Sequence, residues 1–386
     1  MEVKARVKVQ KNIFFIALIK EYMDKFKQFK QLYQDNKFDV LLKDPDSVYW
    51  LKLRSISRKE LMIDFCIQNA IDCTGIKGTA LFEHIYKSKP DEKIVDDFIA
   101  QKYLTERAER KTNEVKLVSE LYKMKVLDWG GIYQNNLEKS IIDNYVKKIK
   151  DFDLLNKKIE NEIHASMRGY VQSSWFNHWT SILIEDLFKD HKKVIPTVGL
   201  IKKVDFFISN VPFDLKVTYF PEGFMLAKRK TLGMPTEIQL LKHFAKTNKI
   251  EYDRTQKEKT IMSELLTRIS ERTDVESKKF IDEFKTNRWQ IVQDTIKDKK
   301  SLIKWLYEEQ GERRFDAANR LFLVLIDKES MEESWKMKRN FELLHDEING
   351  YLSDFNPQKT SDLEIEFDWM DGKKYNAISD AIFVIK

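Results

Sequence analysis

The chain has 386 residues, of which 42% are hydrophobic and 12% aromatic, so it can bury two or three sizeable cores. This composition excludes a chain that is disordered throughout. Charged residues make up 34%, but both signs are interspersed and the net charge is only +6. The charge therefore permits a polyanionic partner without requiring one.

Two features of the first 75 residues bear on the compartment. The apolar block at 13–19 is too short to cross a membrane, which takes about 20 residues, and no small-residue cleavage site follows it. Cys66 and Cys73 are too few for a disulfide framework or a zinc cage, so we expect two buried thiols. These features predict a cytoplasmic protein with no membrane partner.

The pattern of apolar and charged residues divides the chain into four segments. Residues 1–155 carry apolar side chains at three- and four-residue spacing, which predicts a helical region for recognition or dimerisation. Residues 156–235 form the first part of a predicted catalytic core, a helix and three strands. Residues 236–310 are helical again and highly charged, and 311–386 complete the core with a strand, a helix and a strand.

The predicted order of elements is that of an α/β or α+β core carrying large helical additions. The predicted elements of this core are a helix at 157–190, strands at 193–198, 203–209 and 212–220, a strand at 320–326, a helix at 331–352 and a strand at 381–385.

The strand from Phe213 to Tyr219 alternates strongly, with apolar residues at every second position. Asp214 and Lys216 therefore lie together on the opposite face, about 7 Å apart at their Cα atoms. The preceding strand contains Asp205, and a two-residue turn makes the two strands antiparallel neighbours. Whether Asp205 approaches Asp214 or Lys216 depends on the strand register, which the sequence leaves open.

A third carboxylate comes from the helix that precedes these strands. Ser174, His178, Ser181 and Glu185 follow one another at four-, three- and four-residue spacing, which forms one polar stripe. An apolar stripe beside it is expected to face the core. Its members are Trp175, Trp179, Ile182 and Leu183.

Carboxylates grouped beside a lysine are suited to phosphodiester cleavage. Carboxylate oxygens bind Mg²⁺, which lowers the pKa of water and offsets the charge that develops on the phosphate. We expect Asp205 and Asp214 to be the main ligands and Glu185 an additional or water-mediated ligand. Lys216 would position the attacking water, help to deprotonate it or stabilise the negative charge.

An acid two residues before a lysine carries little information by itself, because Glu283-Phe284-Lys285 and similar tripeptides occur by chance. Asp214-Leu215-Lys216 differs because it lies in an alternating strand that follows two other acid-bearing elements. The alternative is an edge strand whose charged side chains face solvent.

The stretch from Trp175 to Pro221 resembles the PD-(D/E)xK nuclease superfamily, and in particular its restriction endonucleases. Glu185 matches the helical acid of that pattern, Asp205 the aspartate of one strand, and Asp214 with Lys216 the acid-x-lysine of the next. The resemblance implies a restriction-endonuclease-like core, a mixed sheet flanked by helices, and Mg²⁺-dependent hydrolysis that leaves a 5′-phosphate. Val204 replaces the proline that often precedes the first aspartate.

Cationic side chains near this site in the sequence are candidate phosphate contacts. They are equally typical of charged loop ends that face solvent. His178 could reach DNA from the helix, although a surface or capping role is the commoner one for such a histidine. The candidate DNA contacts are Lys202, Lys203, Lys228, Arg229, Lys230 and His178.

The leading hypothesis is a type II restriction endonuclease that cuts double-stranded DNA. It would act as a homodimer, because a two-fold DNA site calls for a two-fold protein, and would be paired with a DNA methyltransferase. One alternative is a defence or repair nuclease of the same superfamily that recognises structure, ends or a signal. The other is a non-catalytic helical protein that binds DNA or a partner.

Overall fold

The computed structural model describes residues 24–127, 141–199, 201–309 and 317–386. The apolar block at 13–19 lies outside these ranges. Among the residues that are described, no helix is both long enough and apolar enough to cross a membrane. The chain is a mixed α/β protein in which a six-stranded sheet is flanked by helices, so this part of the predicted fold is confirmed.

Helices predominate. Several begin at a short polar side chain that accepts a hydrogen bond from a backbone N–H of the first turn. Asp91, Asp151 and Thr236 each cap the helix that follows them in this way. The α-helices are α1 (24–34), α2 (Phe38–Leu41), α3 (Asp46–Ser55), α4 (Lys59–Gln68), α5 (Thr79–Ser88), α6 (Glu92–Leu121), α7 (Phe152–Lys158), α8 (His164–Lys189), α9 (Glu222–Thr231), α10 (Glu237–Thr247), α11 (Glu258–Ser270), α12 (Val275–Lys297), α13 (Lys299–Glu309) and α14 (Phe341–Asp354).

Short helical segments of other types complete the helical part of the chain. The π-helical segments are Ile142–Val146 and Ile159–Ile163, and the 3₁₀ segments are Met331–Arg339 and Pro357–Leu363. The π segment at Ile159–Ile163 joins α7 to α8, so the helix predicted over 157–190 is confirmed as one continuous helical stretch.

The strands are β1 (Val194–Pro196), β2 (Phe206–Ile208), β3 (Val211–Tyr219), β4 (Arg320–Ile326), β5 (Glu364–Asp368) and β6 (Lys374–Ile385). They form one mixed sheet in the order β1-β2-β3-β4-β6-β5. The pairs β1–β2, β2–β3 and β5–β6 are antiparallel, and β4–β6 is parallel. Residues 321–326 of β4 are fully buried, as expected for a strand covered on both faces.

Two predictions for the last part of the chain were wrong in detail. The hairpin of β5 with β6 was missed, and β6 begins at Lys374 rather than at residue 381. The outer half of this hairpin is rich in charged and exposed side chains, so it lacks the apolar run that marks a buried strand. The helix predicted over 331–352 is divided at Asn340, whose side chain caps the Leu343 amide at the start of α14.

The prediction of two buried thiols was also wrong, because Cys66 and Cys73 form a disulfide with their Cα atoms 6.5 Å apart. The apolar spacing predicts a helix through both cysteines, which would separate them by about 10 Å along the axis. Instead α4 ends at Gln68, and Ala70 has a φ of 53° that reverses the chain. Cys73 therefore returns to Cys66.

The chain divides into two compact units, each built from several segments. We call them the N-terminal unit and the C-terminal unit. The N-terminal unit comprises the residues up to 215 together with 316–319 and 338–360, and the C-terminal unit comprises 216–315, 320–337 and 361–386.

A buried lysine fixes the β2–β3 hairpin within the N-terminal unit. Ser209 and Asn210 form its two-residue turn with φ values of 47° and 70°, the geometry that matches the twist of antiparallel strands. The Asn210 Oδ1 accepts a hydrogen bond of 2.8 Å from the Nζ of Lys52, which is fully buried and also pairs with Glu92 and Asp96. The helices and the hairpin are therefore joined through one buried lysine.

In the C-terminal unit, charged groups on different elements are also paired. The Arg288 guanidinium on α12 binds Glu237 on α10 at 2.7 Å and Glu332 at 2.8 Å. Lys299, the first residue of α13, binds the buried Asp380 of β6 at 2.5 Å. These pairs join the helices of this unit to one another and to its strands.

Gly199 allows the closest approach between the loop after β1 and helix α3. A Cβ atom at Gly199 would lie 2.0 Å from the carbonyl oxygen of Ser55. No side chain fits at that distance, and the obstructing atom belongs to the backbone of α3, which cannot rotate away. The position therefore requires glycine.

Gly199→Ala should lower the free energy of unfolding by about 1–3 kcal/mol, because the loop or α3 must shift to admit the methyl group. The matched control is Gly350→Ala in α14, where an added Cβ meets nothing within 4 Å and alanine favours the helix by about 0.5–1 kcal/mol. Urea unfolding followed by circular dichroism measures both. Equal stability of the two variants would contradict the close packing at Gly199.

Candidate active site

Asp214 is buried in an interior strand of the sheet. β3 lies between β2 and β4, and only 5% of Asp214 is exposed. Its backbone N–H donates to the carbonyl oxygen of Asn319 at 3.0 Å, and the Asn319 amide donates to Pro212 O at 3.2 Å. The alternative of an edge strand with solvent-facing charges is therefore wrong for Asp214.

Asp205 lies beside Asp214, which answers the question of register. β2 pairs with β3 so that Phe206 faces Phe213. At the start of this ladder the Asp205 N–H donates to Phe213 O at 2.8 Å, and the Asp205 Oδ2 accepts from the Leu215 N–H at 2.7 Å. The Asp205 carboxylate thus contacts the peptide group that joins Asp214 to Leu215.

The loop that carries Asp205 is closed at its base. Thr197, just after β1, donates both its Oγ1 hydroxyl, at 2.8 Å, and its backbone N–H, at 3.4 Å, to the carbonyl oxygen of Asp205. The backbone of Asp205 is therefore held on both sides, by Thr197 and by β3. This arrangement restricts the direction of its side chain.

Lys216 follows Asp214 by two residues on the same strand and is half-buried. In a regular strand the two side chains lie on one face, so their shared face stays a prediction from strand geometry. The first half of the strand differs from that pattern, because Pro212 through Leu215 are all buried and the residues from Lys216 onward are half-buried.

Glu185 is held differently from the two aspartates. On α8 its Oε2 accepts from Lys189 Nζ at 2.9 Å, and 30% of its side chain is exposed. Within the described ranges, no three or more histidine, cysteine or acidic side chains are gathered closely enough to hold a metal ion. The structure thus brings Asp205 next to the Asp214 peptide, and Glu185 forms its contact within α8.

The buried face of α8 agrees only in part with the predicted apolar stripe, of which Leu183 is buried. Phe176, Leu183 and Phe188 are buried, as are the polar residues Ser173 and Thr180. Trp175, which was expected in the core, is 37% exposed. Thr180 satisfies its hydroxyl on the carbonyl oxygen of Phe176 at 2.8 Å, which explains how a polar residue lies on the buried face.

Sequence reasoning missed the two acids that fix α8 in place. Asp186, 2% exposed, accepts a bidentate pair of hydrogen bonds from Arg110 on α6, at 2.7 and 2.9 Å. Tyr103 donates to Asp190 at 2.8 Å, and Arg107 pairs with the same carboxylate at 3.1 Å. The paired basic and aromatic residues of α6 could have suggested this contact, but their partners are about 80 residues away in sequence.

The electrostatics of this α6–α8 cluster follow from burial and charge. Burial, followed by the adjacent carboxylates, raises the pKa of the Tyr103 hydroxyl above its usual value, so the hydroxyl keeps its proton and acts as a donor. The hydrogen bonds to Asp186 raise the pKa of Arg110. The cluster therefore holds α8, and with it Glu185, against α6.

Asp186→Asn should lower the free energy of unfolding by about 3–5 kcal/mol, because it leaves the Arg110 guanidinium without its carboxylate. The adjacent substitution Glu185→Gln is the control and should cost less than about 1 kcal/mol, since the Glu185–Lys189 pair is partly exposed. Thermal and urea unfolding of the two variants measure the difference. A larger loss for Glu185→Gln would refute the assignment of Asp186 as the anchor of α8.

The remaining candidate DNA contacts have different environments. Lys202 is exposed and Lys203 is half-buried in the loop before Asp205, and His178 is exposed on α8 with its ring 5.1 Å from that of Trp179. On α9, Lys230 is exposed and Lys228 is half-buried.

Arg229, the other candidate on α9, is only 1% exposed and donates from Nε to the carbonyl oxygen of Pro235 at 2.7 Å. Burial lowers the pKa of its guanidinium. A side chain in this position does not reach a DNA phosphate, so the prediction of Arg229 as a DNA contact is wrong.

Comparison with known proteins supplies no relative. The chain matches no family model, no curated protein and no solved structure. The assignment of a function therefore depends on the chemistry of the residues described above.

Proposed function

We propose that the chain is a Mg²⁺-dependent DNA endonuclease whose site is built on the β2–β3 hairpin. The observation that carries this proposal is the 2.7 Å hydrogen bond between the Asp205 carboxylate and the Leu215 backbone amide. It places one acid against the peptide of a second acid, Asp214, and Lys216 lies two residues further along the same strand. These three residues are the strand-borne part of the pattern on which the PD-(D/E)xK resemblance is based, and they support the proposal.

The two aspartates suit a magnesium ion. Mg²⁺ prefers oxygen ligands and is commonly held by one or two carboxylates, with water and substrate phosphate completing its shell. Asp214 is buried, and a second carboxylate lies at the next peptide. A cation close by stabilises the charged form of both groups. Asp205 and Asp214 would hold the ion, and Glu185 belongs to the surrounding helix rather than to the ligand set.

Each residue of the proposed site then has a defined role. When bound, Mg²⁺ lowers the pKa of water and offsets the negative charge that grows on the phosphate. Asp205 and Asp214 would hold the ion, and the fixed backbone of Asp205 keeps its carboxylate directed at one position. Lys216 would orient the attacking water and stabilise charge in the transition state.

The specific form of the proposal is a type II restriction endonuclease that cuts both strands of DNA at a short sequence. The hairpin alone offers little surface for reading bases, so the helical segments around it would supply recognition and a homodimer contact. Such an enzyme would be paired with a DNA methyltransferase and would have a restriction-endonuclease-like core.

Incubation of the purified protein with plasmid and phage DNA, in Mg²⁺ or in EDTA, tests the proposal when the ends are sequenced. The expected result is a set of discrete ends at one short motif that form only with Mg²⁺. Scattered Mg²⁺-dependent ends would favour a structure- or signal-dependent nuclease. Intact DNA at high protein excess would overturn the nuclease proposal and leave a binding protein.

Asp214→Asn and Lys216→Ala should each reduce the rate constant of cleavage by more than about 100-fold while binding to DNA is kept, because the chemical step loses a ligand or its water-orienting group. Single-turnover cleavage and fluorescence anisotropy with uncut duplex measure the two quantities.

Glu185→Gln is the internal comparison for the ligand set. Because the Glu185 carboxylate pairs with Lys189 and is 30% exposed, we expect this variant to retain cleavage within about 10-fold of the unmodified chain. A loss as large as that of Asp214→Asn would mean that Glu185 is a metal ligand. Unchanged cleavage by Lys216→Ala would contradict the proposed site.

A further inference from the structure

The loop between β1 and β2, which ends at Asp205, is fastened to the helices of the N-terminal unit. The Lys202 N–H donates to the hydroxyl of Tyr33 on α1 at 2.6 Å. Gly199 lies so close to α3 that no side chain would fit between it and Ser55 O. Thr197 closes the base of the loop on Asp205. Helices α1 and α3 therefore determine where this loop lies.

Two cations flank one aromatic ring at this junction. The Arg54 guanidinium carbon of α3 lies 5.3 Å from the centre of the Tyr33 ring, and the Lys202 Nζ lies 5.6 Å from the same centre. The two charges are thus within roughly 11 Å of each other, about one Debye length at 0.1 M salt. Cation–π attraction holds both in place on a ring that is itself buried.

Neither cation is neutralised by an acid within the described ranges. Arg54 donates from Nη1 to the Ser57 hydroxyl, and neither Arg54 nor Lys202 has a carboxylate within ion-pair distance among those residues. Several other cations of the N-terminal unit are matched with acids. Examples are Lys52 with Glu92 and Asp96, Arg110 with Asp186, and Lys189 with Glu185.

An anion that binds between or beside two like charges relieves their repulsion. A guanidinium presents a fork of N–H donors that fits phosphate oxygens, and an ammonium adds a point charge. The half-buried Lys203 is the next residue along the loop, and Asp205 follows two residues later. Lys202 therefore lies on the same short loop as the proposed catalytic aspartate, and Arg54 of α3 is close to it on the Tyr33 ring.

We propose that Arg54 and Lys202, positioned on the Tyr33 ring, form a phosphate clamp that binds the DNA backbone beside the scissile bond. The choice of DNA rests on the proposed nuclease function, whereas the clamp itself rests on the uncompensated charges. The clamp gives the N-terminal helices a direct part in substrate binding. It contributes affinity without sequence preference, because phosphates carry no base information.

The test is the double variant Arg54→Gln/Lys202→Gln, with duplex DNA of two unrelated sequences and with Ca²⁺ in place of Mg²⁺. Fluorescence anisotropy over a series of salt concentrations should show binding weakened at least about 10-fold near 0.1 M salt. The slope of log Kd against log salt should fall by about 2, one for each lost phosphate contact, and equally for both sequences. In a separate measurement with Mg²⁺, the single-turnover rate constant of cleavage at saturating protein should change much less than Kd.

Lys87→Gln/Lys102→Gln is the charge-matched control. Both lysines belong to the N-terminal unit and are paired with acids, Lys87 with Glu83 at 3.2 Å and Lys102 with Asp64 at 2.7 Å. This control should bind DNA with nearly the unmodified slope. Arg54→Lys/Lys202→Arg keeps both charges and should restore most of the affinity. If the double glutamine variant does not fold, Lys202→Gln alone, at an exposed side chain, should lower the slope by about 1.

The outcomes separate the clamp from the nuclease function. If the unmodified chain binds DNA without cutting it and the double variant binds weakly, the clamp stands and the nuclease proposal is wrong. If the unmodified chain cuts DNA and the double variant keeps its Kd and slope, the clamp is wrong and the nuclease proposal stands. An equal loss in the charge-matched control, or no binding of duplex DNA by the unmodified chain, also overturns the clamp.

Discussion

The hydrogen bond from the Leu215 amide to the Asp205 carboxylate is the contact on which the proposed site depends. It allows a side-chain oxygen to take the place of a strand partner, so an acid lies at the point where the β2–β3 ladder ends. The cost of having Asp205 so close to the buried Asp214 is reduced when a cation is bound. The geometry of the hairpin therefore brings together the two acids on which the proposed metal chemistry depends.

The helices of the N-terminal unit hold this hairpin and its loop through three different contacts. The buried Lys52 donates a hydrogen bond to Asn210 in the turn. Gly199 lets α3 approach the loop, and the Tyr33 hydroxyl accepts a hydrogen bond from the Lys202 amide. These three contacts add to an apolar core that Val198, Val204 and Phe207 share with the helices. The helical segment is thus a support for the proposed site, and on our account also part of its substrate-binding surface.

The strand β4 and the order of most elements could be predicted from the sequence, because apolar periodicity reports them directly. What could not be predicted involves contacts between distant residues. The position of Asp205 depends on a ladder that ends at one residue, and the burial of Asp186 depends on Arg110 in another helix. Periodicity also fails where a polar side chain such as Thr180 is satisfied within its own helix.

A crystal structure of the chain soaked with Mn²⁺, with data collected at the manganese absorption edge, tests the central claim most directly. We predict one anomalous difference peak close to carboxylate oxygens of both Asp205 and Asp214, about 2.1–2.2 Å away, with Glu185 still bound to Lys189. A peak elsewhere, or the absence of any peak at the β2–β3 hairpin at saturating Mn²⁺, would contradict the account.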